Sequence, residues 1–336
     1  MKITVLGSGG WGTAIAILLN ANGHNVTLWS AFSKEAEALR DTRENPLLKG
    51  VEIPRSIGIT ADIDCVRDAE LVVLATPSFA VRETTSMLGE RLAPGVGLVI
   101  VSKGIEESTM KVFTQVAEEE LPAGVPIAAL SGPSHAEEVA RGVPTACVAA
   151  SLHADFALLV QDAFMSERFR VYSSPDVMGV ELGGALKNII ALCAGVCDGL
   201  GQGDNTIAML MTRGLAEIAT LGVALGGKRE TFTGLSGVGD LIVTCTSRHS
   251  RNRRAGVLIG QGIPVQEAME QVGAVVEGYY AAAAAWKLSR ETGVEMPISE
   301  QTYKVLYEGK DPKLVSRELM TRQRKPEWEE LISLWK

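Results

Sequence analysis

Lys187 is the residue of this sequence whose surroundings most favour chemistry. It lies within residues 180–191, a mostly apolar stretch that predicts a helix. An unpaired buried ammonium is costly, so such a lysine needs a partner or a lowered pKa, and a lysine tuned in this way can act as a general acid or base. The alternative is a lysine at a helix edge whose ammonium reaches water. Gly183 and Gly184 allow another backbone to approach closely, which favours the functional interpretation.

Polar residues also follow two of the predicted strands. Lys103 comes after one strand, and Gly132, Ser134 and His135 come after the next. Ligands of an open α/β sheet bind outside the carboxyl ends of its strands, so Lys103 is expected where a substrate meets a cofactor. A single lysine considered alone favours a solvated surface residue, and the position of Lys103 at a strand end makes the two interpretations about equal. His135 is either an acid–base group or a surface residue at the start of a helix.

A glycine-rich run at residues 234–239 precedes Asp240 and Thr244. No clear strand comes before this run, so it is not a second nucleotide loop. Its use would be to aim Asp240 and Thr244 into a cleft.

The densest basic cluster of the chain lies at residues 250–254, where Ser250, Arg251 and Asn252 are followed by Arg253 and Arg254. Ser and Asn can cap a helix, and Arg forms bidentate bonds with phosphate oxygens. A solvated charged face explains the cluster equally well when it is considered alone.

The N-terminal region contains a glycine pattern of the type G-x-G-x-x-G. The pattern follows a predicted strand and opens a predicted helix, as a dinucleotide-binding loop requires. Gly7 permits the tight turn, Gly9 lets the backbone approach a pyrophosphate, and Gly12 lets helix and strand pack closely. We therefore predict that a dinucleotide binds at six consecutive residues: Gly7, Ser8, Gly9, Gly10, Trp11 and Gly12.

The end of the second predicted strand bears on the choice between NAD and NADP. A carboxylate there accepts a hydrogen bond from the ribose 2′-hydroxyl of NAD. The first acid after this strand is Glu35, which the sequence places inside a helix, whereas Ser30, Ser33 and Lys34 could meet a 2′-phosphate. We expect NADP, or the use of both cofactors, although Lys34 is also consistent with a solvated helix residue.

The elements that position these residues alternate in type through the first half of the chain. Short apolar runs predict strands at residues 3–6, 26–29, 71–75, 98–101, 127–130 and 145–149. The segments between them predict helices at residues 11–22, 80–92 and 109–120. Buried strands that alternate with helices predict an α/β fold, a doubly wound parallel sheet of the Rossmann type.

The second half of the chain has almost no strand candidates. Helices are predicted at residues 177–200, 207–222, 253–260, 265–272, 278–292 and 298–307. We place a boundary at Pro175, where the sequence favours a loop and a helix N-cap. The expected organisation is a dinucleotide-binding Rossmann domain over residues 1–175 and a mostly helical substrate-binding domain over residues 176–336.

Composition narrows the classes of function. A chain of 336 residues suits two domains, and its net charge of −8 provides no basic field that would attract nucleic acid. The five scattered cysteines lack metal-type spacing and indicate reduced thiols. No signal peptide is apparent, and the apolar stretch at residues 182–200 contains charges and glycines that make a poor membrane span. We expect a cytoplasmic protein that binds no nucleic acid, membrane or metal.

Several motifs in this order resemble one family over essentially the whole chain. The sequence is similar to the NAD(P)-dependent sn-glycerol-3-phosphate dehydrogenases of the bacterial soluble type. The matching stretches are residues 7–12, 101–106, 130–136, 181–188, 237–241, 244–247, 250–253 and 276–278.

The resemblance implies a role for individual residues. Lys187 would accept the proton in alcohol oxidation and donate it in ketone reduction, and Lys103 would contact both substrate and cofactor. The rest of the substrate site would be Gly132, Ser134, Asp240, Ser250, Arg251 and Asn252. Further cofactor contacts would come from Gly10, Trp11, Ala136, Arg251, Val275 and Glu277. Asp240 and Thr244 would orient Lys187 or the substrate hydroxyls.

The implied reaction is hydride transfer between NAD(P)H and dihydroxyacetone phosphate, a step that would feed glycerophospholipid synthesis. The implied partner is a small phosphate substrate, and a second copy of the chain is a candidate partner. A hydroxyacid or phosphogluconate-type dehydrogenase is one alternative, because Arg251 could also hold a carboxylate. A non-catalytic nucleotide sensor is another, against which Lys103, Lys187 and Asp240 argue, since a sensor needs no proton donor.

The chain departs from the family after the second strand. The family commonly has a basic residue near positions 31–33, often Arg, where this chain has Ala31, Phe32 and Ser33. Phe32 could pack against an adenine without contacting the 2′ group.

Overall fold

The computed structural model describes residues 1–327, and an eight-stranded sheet forms its first half. The sheet has the spatial order β3-β2-β1-β4-β5-β6-β7-β8. Its strands are β1 (Lys2–Leu6), β2 (Asn25–Trp29), β3 (Gly58–Thr60), β4 (Leu71–Leu74), β5 (Gly97–Ile100), β6 (Ile127–Ser131), β7 (Thr145–Ala150) and β8 (Phe169–Ser174). This arrangement confirms the predicted Rossmann-like α/β class.

The sheet differs from the prediction at β7, which runs antiparallel to β6. Leu130 is paired with Ala149 in this register, whereas the other neighbouring strands are parallel. Residues 132–144 connect the two strands and contain one short helix, Ala136–Val139. A parallel connection usually carries a full helix across the face of the sheet. The helix of this connection has only 4 residues, too few for such a crossover, and the chain reverses direction.

Helices cover the sheet in the first half. They are α1 (Gly10–Ala21), α2 (Ser33–Thr42), α3 (Val81–Ser86), α4 (Phe113–Glu120), α5 (Ala136–Val139) and α6 (Ala154–Phe164). The helix predicted over residues 80–92 is interrupted, because 3₁₀ turns flank α3 on both sides. The helix predicted from residue 109 begins later, because Ile105 and Val112 form an isolated antiparallel bridge just before α4.

Helices form the second half of the described chain. They are α7 (Val177–Gly199), α8 (Asp204–Ala224), α9 (Arg229–Phe232), α10 (Asp240–Thr246), α11 (Arg251–Gly260), α12 (Val265–Val272), α13 (Glu277–Thr292), α14 (Pro297–Glu308) and α15 (Pro312–Met320). The central helix is α7, whose Leu186, Ile189 and Ile190 are fully buried in the core. By length and composition α7 and α8 could each cross a membrane, but 83% of the apolar window of α7 is buried within the fold.

Helices α7 and α11 cross with their backbones in direct contact. A Cβ on Gly195 of α7 would stand 2.0 Å from the carbonyl oxygen of Arg253, and a Cβ on Gly256 of α11 would stand 2.0 Å from that of Leu192. Both distances are shorter than any side chain allows, so the spacing of the two helices depends on these glycines. The contact fixes α11 relative to the C-terminal half of α7.

Candidate active site

The glycine loop after β1 has the geometry of a phosphate-binding turn. Gly7 donates from its N–H to the carbonyl oxygen of Trp29 at 3.0 Å, which joins the loop to the end of β2. Its φ of +113° is a conformation that favours glycine, and an added Cβ would lie 2.7 Å from Ala75 O. A Cβ on Gly12 would lie 1.8 Å from the carbonyl oxygen of Gly7. The turn and the close helix–strand packing therefore require both glycines.

Gly9 differs from these two glycines, because no protein atom lies within 4 Å of an added Cβ. It is the N-cap of α1 with φ −64° and ψ 178°, values that other residues adopt freely. The open space therefore lies in front of a helix N-terminus, whose first N–H groups have no partner within the helix. These features fit the pyrophosphate of a dinucleotide.

A buried amide that the sequence did not reveal supports the loop from behind. Asn45 donates from Nδ2 to the carbonyl oxygen of Ser8 at 2.9 Å and to Oγ1 of Thr13 at 2.7 Å. Thr13 also donates to the Ser8 carbonyl oxygen. No motif or periodicity connects Asn45 to the loop, so only the folded chain shows this contact.

The end of β2 differs from the expectation for a 2′-phosphate site. Ser30 is fully buried and donates from Oγ to Oε2 of Glu35 at 2.7 Å. The prediction that Ser30 meets a phosphate is therefore wrong, because its hydroxyl is buried against a carboxylate. Ser33 and Lys34 are exposed, and Phe32 is 69% exposed.

Two exposed aromatic side chains stand at the carboxyl edge of the sheet. Phe32 follows β2, and Phe79, which is 72% exposed, follows β4. These strands are the two neighbours of β1. Phe79 was not predicted, although an aromatic residue just after a buried strand was a usable signal.

A buried carboxylate joins the two predicted lysines. Lys103 donates from Nζ to Oδ2 of Asp240 at 2.7 Å and to the carbonyl oxygen of Gly132 at 2.9 Å. Lys187 donates to Oδ1 of Asp240 and to Oγ1 of Thr244, the latter at 2.7 Å. The side chains of Lys187 and Asp240 are only 7% and 1% exposed. All four predicted catalytic residues therefore meet in one centre.

Different elements deliver these groups. Lys103 follows β5, Lys187 lies in the middle of α7, and Asp240 begins α10 after the π-helical turn Leu235–Gly239. A Cβ on Gly183 would stand 2.6 Å from the carbonyl oxygen of Ser236, so the close approach of another backbone predicted here is confirmed. A Cβ on Gly184 would stand 2.6 Å from Ser131 Oγ at the end of β6. The contact brings α7 directly onto the carboxyl edge of the sheet.

The charges of this centre affect one another. Burial lowers the pKa of Lys187 to about 8 against the attraction of Asp240, and the charge of Lys103 adds to the lowering. Burial opposes ionisation of Asp240, but the two ammoniums outweigh it and hold the pKa of this carboxyl below its usual range. A lysine with a pKa near 8 can exchange a proton close to neutral pH, as general acid–base chemistry requires.

The basic cluster begins α11 and contacts the residue that follows Lys187. Ser250 is the N-cap of α11 and accepts from the N–H of Arg253 at 3.2 Å. Asn252 is buried, donates to Oδ1 of Asn188 at 2.8 Å and accepts from the N–H of Gly278 at 2.8 Å. Arg251 is exposed between them. The expectation of a helix cap in this cluster is confirmed, and Asn188 is a contact that the sequence did not reveal.

Several predicted cofactor residues border the same region. Trp11 donates from Nε1 to the carbonyl oxygen of Val101 at 3.1 Å, just beyond β5. Glu277 accepts from the N–H of Ser78 at 3.5 Å, and burial raises the pKa of its carboxyl. Val275 is half-buried just before α13.

The turn after β6 places the remaining residues. Ser134 donates to the carbonyl oxygen of Gly132 at 2.9 Å, and Ala136 begins α5. His135 contacts the carbonyl oxygen of Val243 at 3.4 Å, and burial lowers its pKa. Within residues 1–327, no cluster of His, Cys, Asp and Glu could hold a metal ion.

Comparisons with known proteins agree with this geometry. Residues 2–157 match the family described as NAD-dependent glycerol-3-phosphate dehydrogenase N-terminus, and residues 176–317 match the corresponding C-terminus. Two relatives bear the name glycerol-3-phosphate dehydrogenase (NAD(P)+). The one from Thermoanaerobacter sp. (strain X514) is 55% identical over 97% of this chain and 99% of its own length. The one from Desulfitobacterium hafniense (strain Y51) is 52% identical over 98% and 94%.

A solved structure supports the same assignment. The crystal structure of glycerol-3-phosphate dehydrogenase from Coxiella burnetii has a TM-score of 0.92 and 36% identity, and the match covers 96% of this chain and 99% of that one. The family models, relatives at about half identity and a matching fold agree over nearly the full length. The chain belongs to the NAD-dependent glycerol-3-phosphate dehydrogenase family.

Proposed function

We propose that this protein interconverts dihydroxyacetone phosphate and sn-glycerol 3-phosphate with NAD(P)H. The observation that carries the proposal is the buried contact of Lys187 with Asp240 and Thr244, at the carboxyl edge of a nucleotide-binding sheet. A nicotinamide, when bound, supplies or accepts the hydride. The relatives' names provide the substrate, and the residues present provide the acid–base chemistry.

Lys187 is the proposed proton donor to the carbonyl oxygen at C2 of the ketone, and the acceptor when the alcohol is oxidised. Asp240 offsets the ammonium charge, and Thr244 accepts a second hydrogen bond from it at 2.7 Å. These two contacts hold Nζ in place while one N–H remains to reach the substrate. A positioned acid of this kind typically contributes about 10²–10⁴-fold in rate.

Lys103 is proposed to hold the substrate from the other side of Asp240. It lies at the end of β5, the edge where ligands of such sheets bind. Its bonds to Asp240 and Gly132 orient the ammonium without using all three of its donors. Ser134, on the same turn as Gly132, completes this side of the substrate site in the proposal.

The start of α11 is the proposed phosphate-binding element. Arg251 is exposed, and it can form bidentate bonds with phosphate oxygens. Ser250 accepts the N–H of Arg253 and still has its hydroxyl proton to donate. Asn252 is tied to Asn188, which leaves it one N–H and fixes Arg251 relative to Lys187.

The cofactor site in this proposal is formed at the sheet edge and its rim. The open space at Gly9 receives the pyrophosphate, and Trp11 and Lys103 border the path toward Lys187. The remaining proposed contacts are Gly7, Ser8, Gly10, Gly12, Phe32, Ala136, Arg251, Val275 and Glu277.

The proposal extends to organisation and setting. We propose a Rossmann domain over residues 1–175 and a substrate domain over residues 176–336, of which residues 328–336 lie outside the described part. The join is supported by the end of β8 at Ser174 and the start of α7 at Val177. A soluble cytoplasmic homodimer that contributes to glycerophospholipid synthesis and binds neither nucleic acid nor membrane is the proposed state. Light scattering of the purified protein tests the dimer.

The decisive experiment follows nicotinamide absorbance with dihydroxyacetone phosphate and with small keto acids as competing substrates. We expect turnover with the phosphate ketone at a kcat/KM at least about 100-fold above that for any keto acid. Equal or faster turnover of a keto acid would favour a hydroxyacid dehydrogenase. Nucleotide binding without turnover of any ketone would contradict the enzymatic proposal altogether.

A further inference from the structure

The residue that directly follows β2 lies where NAD-binding sheets contact the ribose 2′-hydroxyl. Trp29, the last residue of β2, accepts the N–H of Gly7 at 3.0 Å, so the chain at Ser30 leaves the sheet beside the first glycine of the loop. In NAD-binding sheets an acidic residue near the end of this strand accepts from the ribose 2′-hydroxyl. Here the position holds Ser30, which has no charge.

A carboxylate nevertheless reaches this position from the next helix. Glu35 lies in the first turn of α2, and its Oε2 accepts from Ser30 Oγ at 2.7 Å. Ser30 Oγ also accepts from the N–H of Phe32, which fixes the direction of its own proton toward Glu35. The carboxylate is therefore held within one hydrogen bond of the place where the acid of an NAD site stands. Among the described residues no group donates a hydrogen bond to its second oxygen, Oε1.

A 2′-phosphate would need cationic side chains beside the end of β2, and the nearby cations of this chain do not meet that need. Residues 31–33 carry no positive charge. Lys34 precedes Glu35 on the helix, where consecutive side chains do not face each other. Arg43, at the far end of α2, donates instead to the carbonyl oxygens of Pro54 and Ile57.

We propose that Glu35, held by Ser30, determines the cofactor preference of this protein and makes it favour NAD over NADP. In this arrangement the ribose 2′-hydroxyl donates to Glu35 Oε1, while a 2′-phosphate would bring about two negative charges against the carboxylate. The inference deepens the proposed function, since it assumes that the dinucleotide of that function binds at this loop. It also replaces the preference for NADP expected from the sequence.

Equilibrium binding to the apoprotein tests the inference without turnover. NADH and NADPH are titrated separately, and tryptophan quenching with energy transfer to the nicotinamide gives each Kd. We expect the wild type to bind NADH at least about tenfold more tightly than NADPH. Glu35→Gln should tighten NADPH about tenfold and weaken NADH a few-fold, and Ser30→Ala should shift the ratio in the same direction by a smaller factor.

Two variants on the same helix serve as comparisons. Glu37→Gln removes the same charge from an exposed residue two positions along α2, and it should leave both Kd values within about twofold. Lys34→Gln tests the opposite model, in which this lysine binds a 2′-phosphate. A wild type that prefers NADPH, or a large loss of NADPH binding in Lys34→Gln with no effect of Glu35→Gln, would overturn the inference.

The failure of this inference can be told apart from failure of the proposed function. Turnover of dihydroxyacetone phosphate with a preference for NADPH would retain the reaction and reject the role of Glu35. A Glu35-dependent preference for NADH with no turnover of that ketone would retain the role of Glu35 and reject the proposed reaction. Circular dichroism and the melting temperature of each variant show whether a changed Kd reflects loss of folding.

Discussion

Lys103 Nζ and Asp240 Oδ2 are 2.7 Å apart, although 137 residues separate them in the chain. The contact joins the edge of the sheet to the start of α10 in the helical half. Lys187 binds the other oxygen of the same carboxylate, so one negative charge lies between two positive ones. The acid–base chemistry of the site therefore depends on a side chain that also joins its two halves.

Asp240→Asn should lower both the rate of ketone reduction and the stability of the fold. Without the carboxylate, two ammoniums repel each other in a buried site, and the pKa of Lys187 falls below 8. Ketone reduction at pH 7.5 should drop about 100-fold, and the pH above which its kcat/KM falls should move at least about one unit toward acid. The free energy of unfolding at pH 7 should fall by about 3–5 kcal/mol, as measured by denaturant titration, because a buried charge loses its partner.

Asp198→Asn is a suitable control for that variant. Asp198 pairs with Arg253 in a partly exposed ion pair outside the Lys187 centre. Such pairs contribute about 0–1 kcal/mol, so this variant should keep its stability and pH profile. If the kcat/KM of Asp240→Asn for ketone reduction began to fall at the same pH as that of the wild type, the electrostatic account would be contradicted.

The wild-type enzyme should show opposite pH dependences in its two directions. Ketone reduction needs the protonated form of Lys187, so its kcat/KM should be level below pH 8 and fall about tenfold per unit above it, given the pKa of about 8. Alcohol oxidation needs the neutral amine and should rise up to about pH 8. Initial rates between pH 6 and 10 measure both profiles, and a reduction rate that stays level to pH 10 would contradict the role of Lys187.

Lys187→Met should separate chemistry from cofactor binding. Methionine keeps most of the side-chain volume but cannot donate a proton, so kcat/KM should fall by about 10²–10⁴-fold. The Kd for NADH should change little, because the glycine loop is unaltered. Lys287→Met, on the exposed side of α13, should behave as wild type. Turnover near the wild-type rate in Lys187→Met would refute the assignment.

Gly9→Ala should weaken nucleotide binding in a protein that remains folded. No protein atom lies within 4 Å of the added Cβ, and the backbone of Gly9 suits alanine, so the melting temperature should stay within about 2 °C. The methyl group would occupy the approach of the pyrophosphate and weaken NADH binding at least about tenfold. Gly203→Ala is matched to it, since Gly203 is also an extended N-cap with open space, and it should bind normally. Normal binding by Gly9→Ala would place the pyrophosphate elsewhere.

Glu217→Gln should change how stability depends on pH. The Glu217 carboxylate accepts from the N–H groups of Ile298 and Ser299, and burial raises its pKa to about 7. The folded state thus binds an extra proton between about pH 4.5 and 7, and the associated stability, fully present at lower pH, is lost as pH rises through 7. Between pH 5 and pH 8 the free energy of unfolding should therefore fall by about 2–3 kcal/mol less in the variant than in the wild type. Denaturant unfolding at the two pH values measures this difference. Glu300→Gln, on the surface of α14, should retain the wild-type slope.

The sequence predicted those parts of the fold that have a local cause. Buried apolar runs located six strands and their order of appearance. The two strands that were missed have weaker local signals: Gly58–Thr60 is a three-residue edge strand, and Phe169–Ser174 alternates buried with exposed side chains. The antiparallel direction of β7 depends on the path of its connection to β6. A run of apolar residues predicts a strand but not the direction in which it runs.

The site divides in the same way. Lys187 was identifiable because an ammonium in an apolar helix is unusual. Its bond to Asp240 spans 53 residues and that of Asn45 to Ser8 spans 37, and both arise from the packing of distant elements. The resemblance to a known family named the reacting residues, but it did not show that one carboxylate serves both lysines.

The backbone contact between α7 and α11 limits how this site can evolve. Because glycines such as Gly195 and Gly256 set the distance between the two helices, that distance does not depend on the size of any side chain. Substitutions at Arg251 can therefore change which anion is held while the proton donor on α7 keeps its place. Substrate recognition can therefore change by substitution at the start of α11, whereas any larger residue at the crossing glycines would collide with the backbone of the other helix.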